Sequence, residues 1–267
     1  VEAVSRASAD QRKGRCGRVG PGICVRLFEA EDFDARDAFT DPEIKRSSLA
    51  SVILTMQQLR LGAVEHFPFL EPPTPAAIKD GYRELHELGA LNTARKLTRL
   101  GRTLCRLSLE PRLARMLVEG YRNGIGEDIL TVVSALSADD PRLRPPGTEE
   151  EADAAHRRHA TETSDFSTLL RLWRFVQEGH AAAPSRGRFR RWCRREFLSY
   201  RRIAEWEAIR QQLAAECRSA ELGRARGKAN AKRLPAGGGQ GPANEASLHR
   251  SLLAGLLNKI GMRRESG

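Results

Sequence analysis

Long apolar runs are missing from this chain. Nothing in its 267 residues approaches the ~18 consecutive apolar residues a membrane-spanning helix needs, and no signal-peptide pattern opens it. Neither a membrane partner nor secretion is expected, and the expected location is cytoplasmic. Paired cysteines are missing too. Cys16, Cys24, Cys105, Cys193 and Cys217 are odd in number and form no C-x-x-C, which speaks against a disulfide framework or a zinc knuckle and fits a reducing compartment. Aromatics are sparse, at 6%. The first residue is Val1 rather than methionine, with a motif inside the next ten or so residues, so the chain reads as a fragment of a longer protein.

What is present is charge, and it is unevenly placed. Lys and Arg number 45 against 34 Asp and Glu, a net +11. Between Arg186 and Arg233, 15 Lys and Arg stand against five Asp and Glu, so a surplus of 10 falls in that one segment. An anionic partner is the natural expectation. With 40% hydrophobic residues the chain is long enough for one large domain or two to three small ones.

The pattern predicts a mainly α protein. Ser8 with Gln11 three residues on is a capping-box pattern, predicting a helix through "QRKGRCGR" (Gln11 to Arg18) that stops at Gly20-Pro21-Gly22. "ICVRLF", Ile23 to Phe28, alternates as a strand would. From Asp41, Pro42 starts a helix with Leu49, Val52, Ile53, Met56, Leu59 and Arg60 at three and four spacing, up to a stop at Gly62. A second helix puts Ile78, Tyr82, Leu85 and Leu88 on one face and ends at Gly89. The hairpin-sized "NTARKLTRLG" and a further helix then suggest a winged-helix module. Further helices follow, including one long helix over "RRWCRREFLSYRRIAEWEAIRQQLAAEC". "LPAGGGQGPAN" reads as a flexible linker, and a short amphipathic helix closes the chain.

If Gln11 to Arg18 is helical at ~100° per residue, Arg15 lies about 40° to one side of Gln11 and Arg18 about 20° to the other, with Arg12 roughly 100° away. One face then carries an amide between two guanidiniums. Gly14 and Gly17 share a neighbouring face where a backbone or a phosphate can come close. Permanently charged planar forks neutralise charge growing on a transferring phosphoryl group, and a glutamine can orient the attacking water. The plainer alternative is a capping glutamine on an arginine-rich helix that sits on solvent or nucleic acid.

"SRASADQRKGRCGR" followed by "PGICVRLF" resembles motif VI of superfamily-two helicases in its DEAH-box form, Q-R-x-G-R-x-G-R, matched at Gln11, Arg12, Gly14, Arg15, Gly17 and Arg18. Downstream, "DPEIKRSSLASVILTMQQLRLGAVEHFPFLEPPTPAAIKDGYRELHELGAL" resembles the winged-helix region of that family, and "LTRLGRTLCRLSLEPRLARMLVEG" the start of its helical ratchet region. "TSDFSTLLRLWRF", "FLSYRRIAEWEAI" and "LHRSLLAGLLNKIGM" are similar to the bacterial HrpA-type branch.

The resemblance implies the end of a second RecA-like domain over 1–40, a winged helix over 41–100, a ratchet-like helical domain over 101–233, a linker over 234–244 and a short helix over 245–267 leading toward an OB-fold. It implies Arg15 and Arg18 as arginine fingers, Gln11 as the residue positioning the hydrolytic water, and Arg12, Gly14 and Gly17 as support. The implied activity is hydrolysis of ATP with Mg2+ in the full-length protein, coupled to translocation on RNA and its unwinding, with RNA or a ribonucleoprotein as partner. No G-x-x-x-x-G-K-[ST] loop and no D-E-x-H occur in the 267 residues; "GRARGKAN" has Gly223, Gly227 and Lys228 at the wrong spacing, followed by Ala229. The fragment alone is therefore expected to bind neither ATP nor Mg2+ and to be inactive. The alternative is a non-enzymatic RNA-binding or adaptor module.

Three other clusters carry candidate chemistry. "SRGRFRRWCRREFLSYRR" interleaves Phe189, Trp192, Phe197 and Tyr200 with eight arginines. Arg188, Arg190, Arg191, Arg194, Arg195, Arg201 and Arg202 are the candidate RNA contacts, whereas the aromatics fit a core better than a base-stacking platform. Asp153, His156 and His159 fall three apart, but lack a fourth ligand at zinc-like spacing, so no metal is expected. Asp139-Asp140 before Pro141 fits the end of a helix better than a carboxylate pair.

Overall fold

A computed structural model describes residues 4–17, 19–40, 48–162, 164–183, 185–222, 242–258 and 261. The described chain is helical throughout, and its only β pairings are two isolated antiparallel bridges, Leu91 with Leu97 and Arg142 with Leu198.

Residues 4–40 form a small segment of two helices, α1 (Arg6–Lys13) and α2 (Ala30–Ala35). Polar and cation–π contacts hold it together. Arg6 and Ala7 N–H groups donate to the Asp37 and Ala38 carbonyls, both at 2.9 Å. Arg26 lies 4.0 Å from the Phe33 ring and Arg36 3.9 Å from Phe28. Among its described residues only Ser5 and Ala9 are buried. The strand expected over Ile23–Phe28 does not form. Strands are defined by ladder hydrogen bonds to a neighbour, no described residue pairs with this stretch, and Ile23, Val25 and Leu27 are 77–97% exposed.

The rest is a helical bundle. α3 (Leu49–Leu59) and α4 (Pro75–Glu87) pack face to face through Leu49, Ile53, Tyr82 and Leu85. Ser48 and Thr74 cap their first turns, and Pro75 occupies the first turn of α4, where its missing N–H costs nothing. α3 stops before Gly62: Arg60 takes the left-handed conformation (φ 57°) so that the Leu61 N–H reaches the Met56 carbonyl at 3.0 Å. The expected start at Pro42 lies outside the described residues. After α4, Asn92 Oδ1 accepts from the Ala94 and Lys96 N–H groups, closing a small turn between Leu91 and Leu97.

α5 (Arg99–Leu104) leads to α6 (Pro111–Asn123) and α7 (Gly126–Leu136), which cross closely because Gly120 lacks a side chain: a Cβ there would sit 2.1 Å from Ile129 Cγ2. α8 (Glu149–Arg157) and α9 (Asp165–Ala182) follow. The single long helix expected next is two, α10 (Arg186–Arg195) and α11 (Tyr200–Ser219). Phe197 adopts φ 53°, the Leu198 N–H turns back to the Cys193 carbonyl, and the Ser199 side chain caps α11. The connector before α8 pairs with this break, Leu143 N–H to the Phe197 carbonyl (2.8 Å) and Ser199 N–H to that of Pro141 (2.7 Å).

α12 (Pro242–Leu253) docks on α6 through Leu248 and Leu252. It begins inside the stretch expected to be linker; residues 234–241 lie outside the described part. Trp206 on α11 is fully buried, its indole N–H donating to the Thr131 carbonyl and Ser134 Oγ at 3.1 Å each, which ties α11 to α7.

Candidate functional site

The arginine motif sits at the end of α1. Ser5, not Ser8, is the N-cap, accepting from the Ser8 N–H. The α-helix ends at Lys13, before the second half of the motif. The Gly14 N–H still bonds to the Asp10 carbonyl, and three-residue turns, Arg15 N–H to Arg12 and Cys16 N–H to Lys13, carry the chain on. The 100° projection therefore holds for Gln11, Arg12 and Gly14 but tightens toward 120° per residue for Arg15. Gln11, Arg12 and Arg15 are all exposed. A Cβ at Gly17 would meet nothing within 4 Å, so a partner can approach there. Arg18 lies outside the described residues. Arg26 holds the nearby Asp10 carboxylate at 2.6 Å.

The second site is α10. Phe189 and Cys193, one turn apart, point into a core with Leu172, Val176, Leu198, Ile203 and Trp206. Burial pushes the Cys193 thiol up to about 11. Arg188, Arg190, Arg191, Arg194 and Arg201 are exposed. Two expected RNA contacts are partly committed elsewhere. Arg202 donates to the Asp140 carbonyl at 2.8 Å and lies 3.5 Å from the Asp139 carboxylate; Arg195 reaches Glu196 at 3.1 Å while keeping 73% of its side chain exposed.

The aromatic residues of this cluster lie against one another. Phe189 stacks on His180 at 3.6 Å and lies nearly parallel to Trp192 at 5.4 Å. Trp192 also meets Phe175 at 4.9 Å, and a Cβ on Gly179 would come within 2.5 Å of its indole. Tyr200 lies edge-on to Phe189, with Arg190 and Arg186 over its ring at 4.8 and 5.9 Å.

Spacing could not reveal the carboxylate that organises this face. Glu196, nearly buried at the end of α10, bonds both Arg195 and Arg158. Burial works against its charge, but the hydrogen bonds from the two arginines prevail and hold its carboxyl below the usual range. Two recesses flank this bracket. One, of about 550 Å³, is lined by Ala182, Ala183, Arg188, Arg191, Trp192 and Arg195. The other, about 570 Å³, includes Arg142, Arg144, Asp153, His156 and Arg157.

Asp153 and His156 have non-metal partners: Asp153 takes two hydrogen bonds from Arg144 at 2.9 Å, and His156 Nε2 lies 3.1 Å from the Phe197 carbonyl. His159 lies against Phe175, ring centres 4.2 Å apart. Among the described residues no group of three or more His, Cys, Asp or Glu is placed to hold a metal, and no helix is long and apolar enough to cross a membrane. Asp140 follows the end of α7 and binds Arg142.

Residues 110–206 match the helicase-associated domain HA2, described as ratchet-like, which spans α6 to the start of α11. The chain is 45% identical to the ATP-dependent RNA helicase HrpA of Escherichia coli and 43% identical to the HrpA homolog of Haemophilus influenzae, in each case over 98% of this chain and 20% of the relative. It is 36% identical over 78% of its length to 18% of the probable ATP-dependent RNA helicase DHX34 of Homo sapiens. The chain thus spans about a fifth of the relatives it matches. An arginine motif of DEAH-box form, a ratchet-like helical region and this likeness along nearly the whole chain together place it: it belongs, as a segment, to the HrpA-type DEAH-box helicases.

Proposed function

We propose that this chain is the carboxy-terminal portion of a bacterial ATP-dependent RNA helicase. Residues 1–40 end its second RecA-like domain, 41–100 form a winged helix, and the region to 233 forms the ratchet-like domain. The observation that carries the reading is the spacing of Gln11, Arg12, Gly14, Arg15, Gly17 and Arg18 within a chain that follows HrpA over 98% of its length.

The exposed end of α1 suits the γ-phosphate end of ATP. Arg15 and Arg18 neutralise charge that grows on the transferring phosphoryl group, and Gln11 orients the attacking water. The 267 residues offer no G-x-x-x-x-G-K-[ST] loop to cradle the β-phosphate and no D-E-x-H for Mg2+. The motif is accordingly one wall of a site whose other wall is on a preceding domain, and translocation on RNA follows from closure of the two. ATP hydrolysis should be undetectable in this chain alone and present in the longer protein that contains it. Hydrolysis by this chain that survives Arg15→Ala would overturn the reading.

The missing loop also favours one other reading, an RNA-binding adaptor without ATPase activity. A reading frame that opens immediately before Val1 would support it; one that continues upstream into a phosphate loop would exclude it.

A further inference from the structure

We propose that Thr40, with Ser5 and Ser8, is a positioning residue for the arginine motif: the three hydroxyls clasp the first turn of α1 and so fix where its far end presents Gln11 and Arg15. The consequence for catalysis rests on the ATP-hydrolysis reading of that motif; the geometry of the clasp does not.

The hydroxyls form a ring. Ser5 Oγ donates to Ser8 Oγ at 3.1 Å, and Thr40 Oγ1 lies 2.9 Å from Ser5 Oγ and 3.3 Å from Ser8 Oγ. Each hydroxyl carries one proton, so Ser8 donates to Thr40 and Thr40 to Ser5, and every member gives one bond and takes one. Ser5 also accepts from the Ser8 N–H as the N-cap of α1, and it is only 4% exposed. Ser5 and Thr40 are 35 residues apart in sequence, so the ring joins the two ends of the segment. From Thr40 the chain runs on to Ser48, the cap of α3, at the head of the helical bundle.

The same stretch supplies the rest of the cap. A helix begins with N–H groups that have no partner inside it. In α1 those of Arg6 and Ala7 go to the Asp37 and Ala38 carbonyls, at 2.9 Å each, and Arg36 Nη1 reaches the Val4 carbonyl just ahead of the helix at 3.2 Å. An eight-residue helix is too short to hold its shape alone. Further along, Asp10 pairs with Arg26, but the Asp10 side chain is 59% exposed and such pairs contribute little. The head of α1 is therefore where its direction is set. Arg15 stands seven residues past Ser8, about 10 Å along the axis, so a tilt of about 10° at the clasp carries it by roughly 2 Å. Misplacing a catalytic group by about 1 Å can cost ~10²-fold in rate. Because a finger acts on charge that grows during transfer, its misplacement lowers kcat rather than ATP binding.

ATP hydrolysis by the full-length protein at saturating RNA tests this. Thr40→Val keeps the shape of the side chain and removes its hydroxyl; kcat should fall by about fivefold or more, with the KM for ATP within about twofold of the parent. Thr40 is exposed, so the substitution opens no cavity, and a thermal melt checks the fold. Thr40→Ser, which keeps the hydroxyl, should restore kcat to within about twofold. Thr74→Val removes the capping hydroxyl of α4 instead and should leave kcat within about twofold. In an Arg15→Ala background Thr40→Val should cost less than about twofold more, because groups that act as a unit are lost together.

A full kcat in Thr40→Val would overturn the clasp. An equal fall in Thr40→Ser would remove the hydroxyl ring as the holding group. A fall of the same size in the Arg15→Ala background, or in Thr74→Val, would reassign the effect to a general loss of structure. A raised KM with kcat kept would place Thr40 in nucleotide binding instead. Failure of the ATP-hydrolysis reading would show separately, as a full kcat in Arg15→Ala itself, whatever Thr40 does.

Discussion

Residues 4–40 and the bundle from residue 48 onward are two ways of presenting arginines. Among the described residues of the first segment only Ser5 and Ala9 are buried, Val19, Ile23, Val25 and Leu27 are exposed, and Arg26 and Arg36 lie over phenylalanine rings and on carboxylates. In the bundle, α10 sets its arginines on a helix whose other side is fixed by Phe189, Cys193 and the rings around them. The arginines of α10 thus stand on a packed core, whereas those at the end of α1 stand on an exposed backbone. A grip on a polyanion needs only charge and a rigid backing. A phosphoryl-transfer site needs a second wall to fix the nucleotide against the arginines.

The contrast should be largest in stability. Trp206→Ala removes a fully buried indole and leaves the Ser134 hydroxyl without it, so urea unfolding should show a loss of about 3–5 kcal/mol. Phe33→Ala, in the first segment, should cost under about 1 kcal/mol in the same transition. Equal losses would mean that the two regions unfold as one unit.

Next in size is Gly179→Ala, whose new methyl would intrude on the Trp192 indole and force α9 and α10 apart. A loss of about 1–3 kcal/mol is expected, together with a change in tryptophan fluorescence. A silent substitution would show that the backing of the α10 arginines is loosely packed.

Thiol chemistry sharpens the comparison further. Burial raises Cys193 and Cys217 to about 11, whereas Cys16 and Cys24 are exposed. Iodoacetamide at about pH 8 should label Cys16 and Cys24 in the native protein and spare the other two until it unfolds, as read by peptide mass mapping. Early labelling of Cys193 would mean that α10 opens.

The smallest effect is on pH dependence. The Glu196 carboxyl is held below its usual range by Arg158 and Arg195, so its contribution is fully present above the unfolded glutamate range and is lost as pH falls through the lowered folded value. Thermal melts of the protein and of Glu196→Gln should differ by about 1 kcal/mol at neutral pH and converge on acidification. A gap that persists in acid would assign the effect to packing instead.

Local chemistry makes part of this legible in the sequence. The face Ile78, Tyr82, Leu85 and Leu88 is where α4 meets its neighbours, since its apolar spacing needs nothing from elsewhere in the chain. Where the outcome depends on distant residues, the sequence misleads. Ile23 to Phe28 has a strand's alternation but no partner among the described residues, and the helix expected from Arg190 to Cys217 breaks at Phe197 because the connector at Arg142 and Leu143 pairs with Phe197 and Leu198 there. Ser199, an N-cap type, is the local sign of that break. The same distance hides the bracket on Glu196, whose partner Arg158 lies 38 residues away. For the arginines of α10 and the start of α11, charge density locates the surface, but only the contacts to Asp139 and Asp140 separate the partly committed Arg202 from Arg188 and Arg191.

The central claim is that the two arginine sets do different work, and RNA-stimulated ATP hydrolysis by the full-length protein tests it most directly when both variants are titrated with RNA side by side. Arg15→Ala should lower kcat by about 10³-fold or more and leave the RNA concentration for half-stimulation unchanged. R188Q/R191Q/R195Q should raise that concentration at least tenfold and leave kcat at saturating RNA unchanged. A full kcat in Arg15→Ala, or an α10 variant that loses kcat with no change in its RNA requirement, would contradict the account.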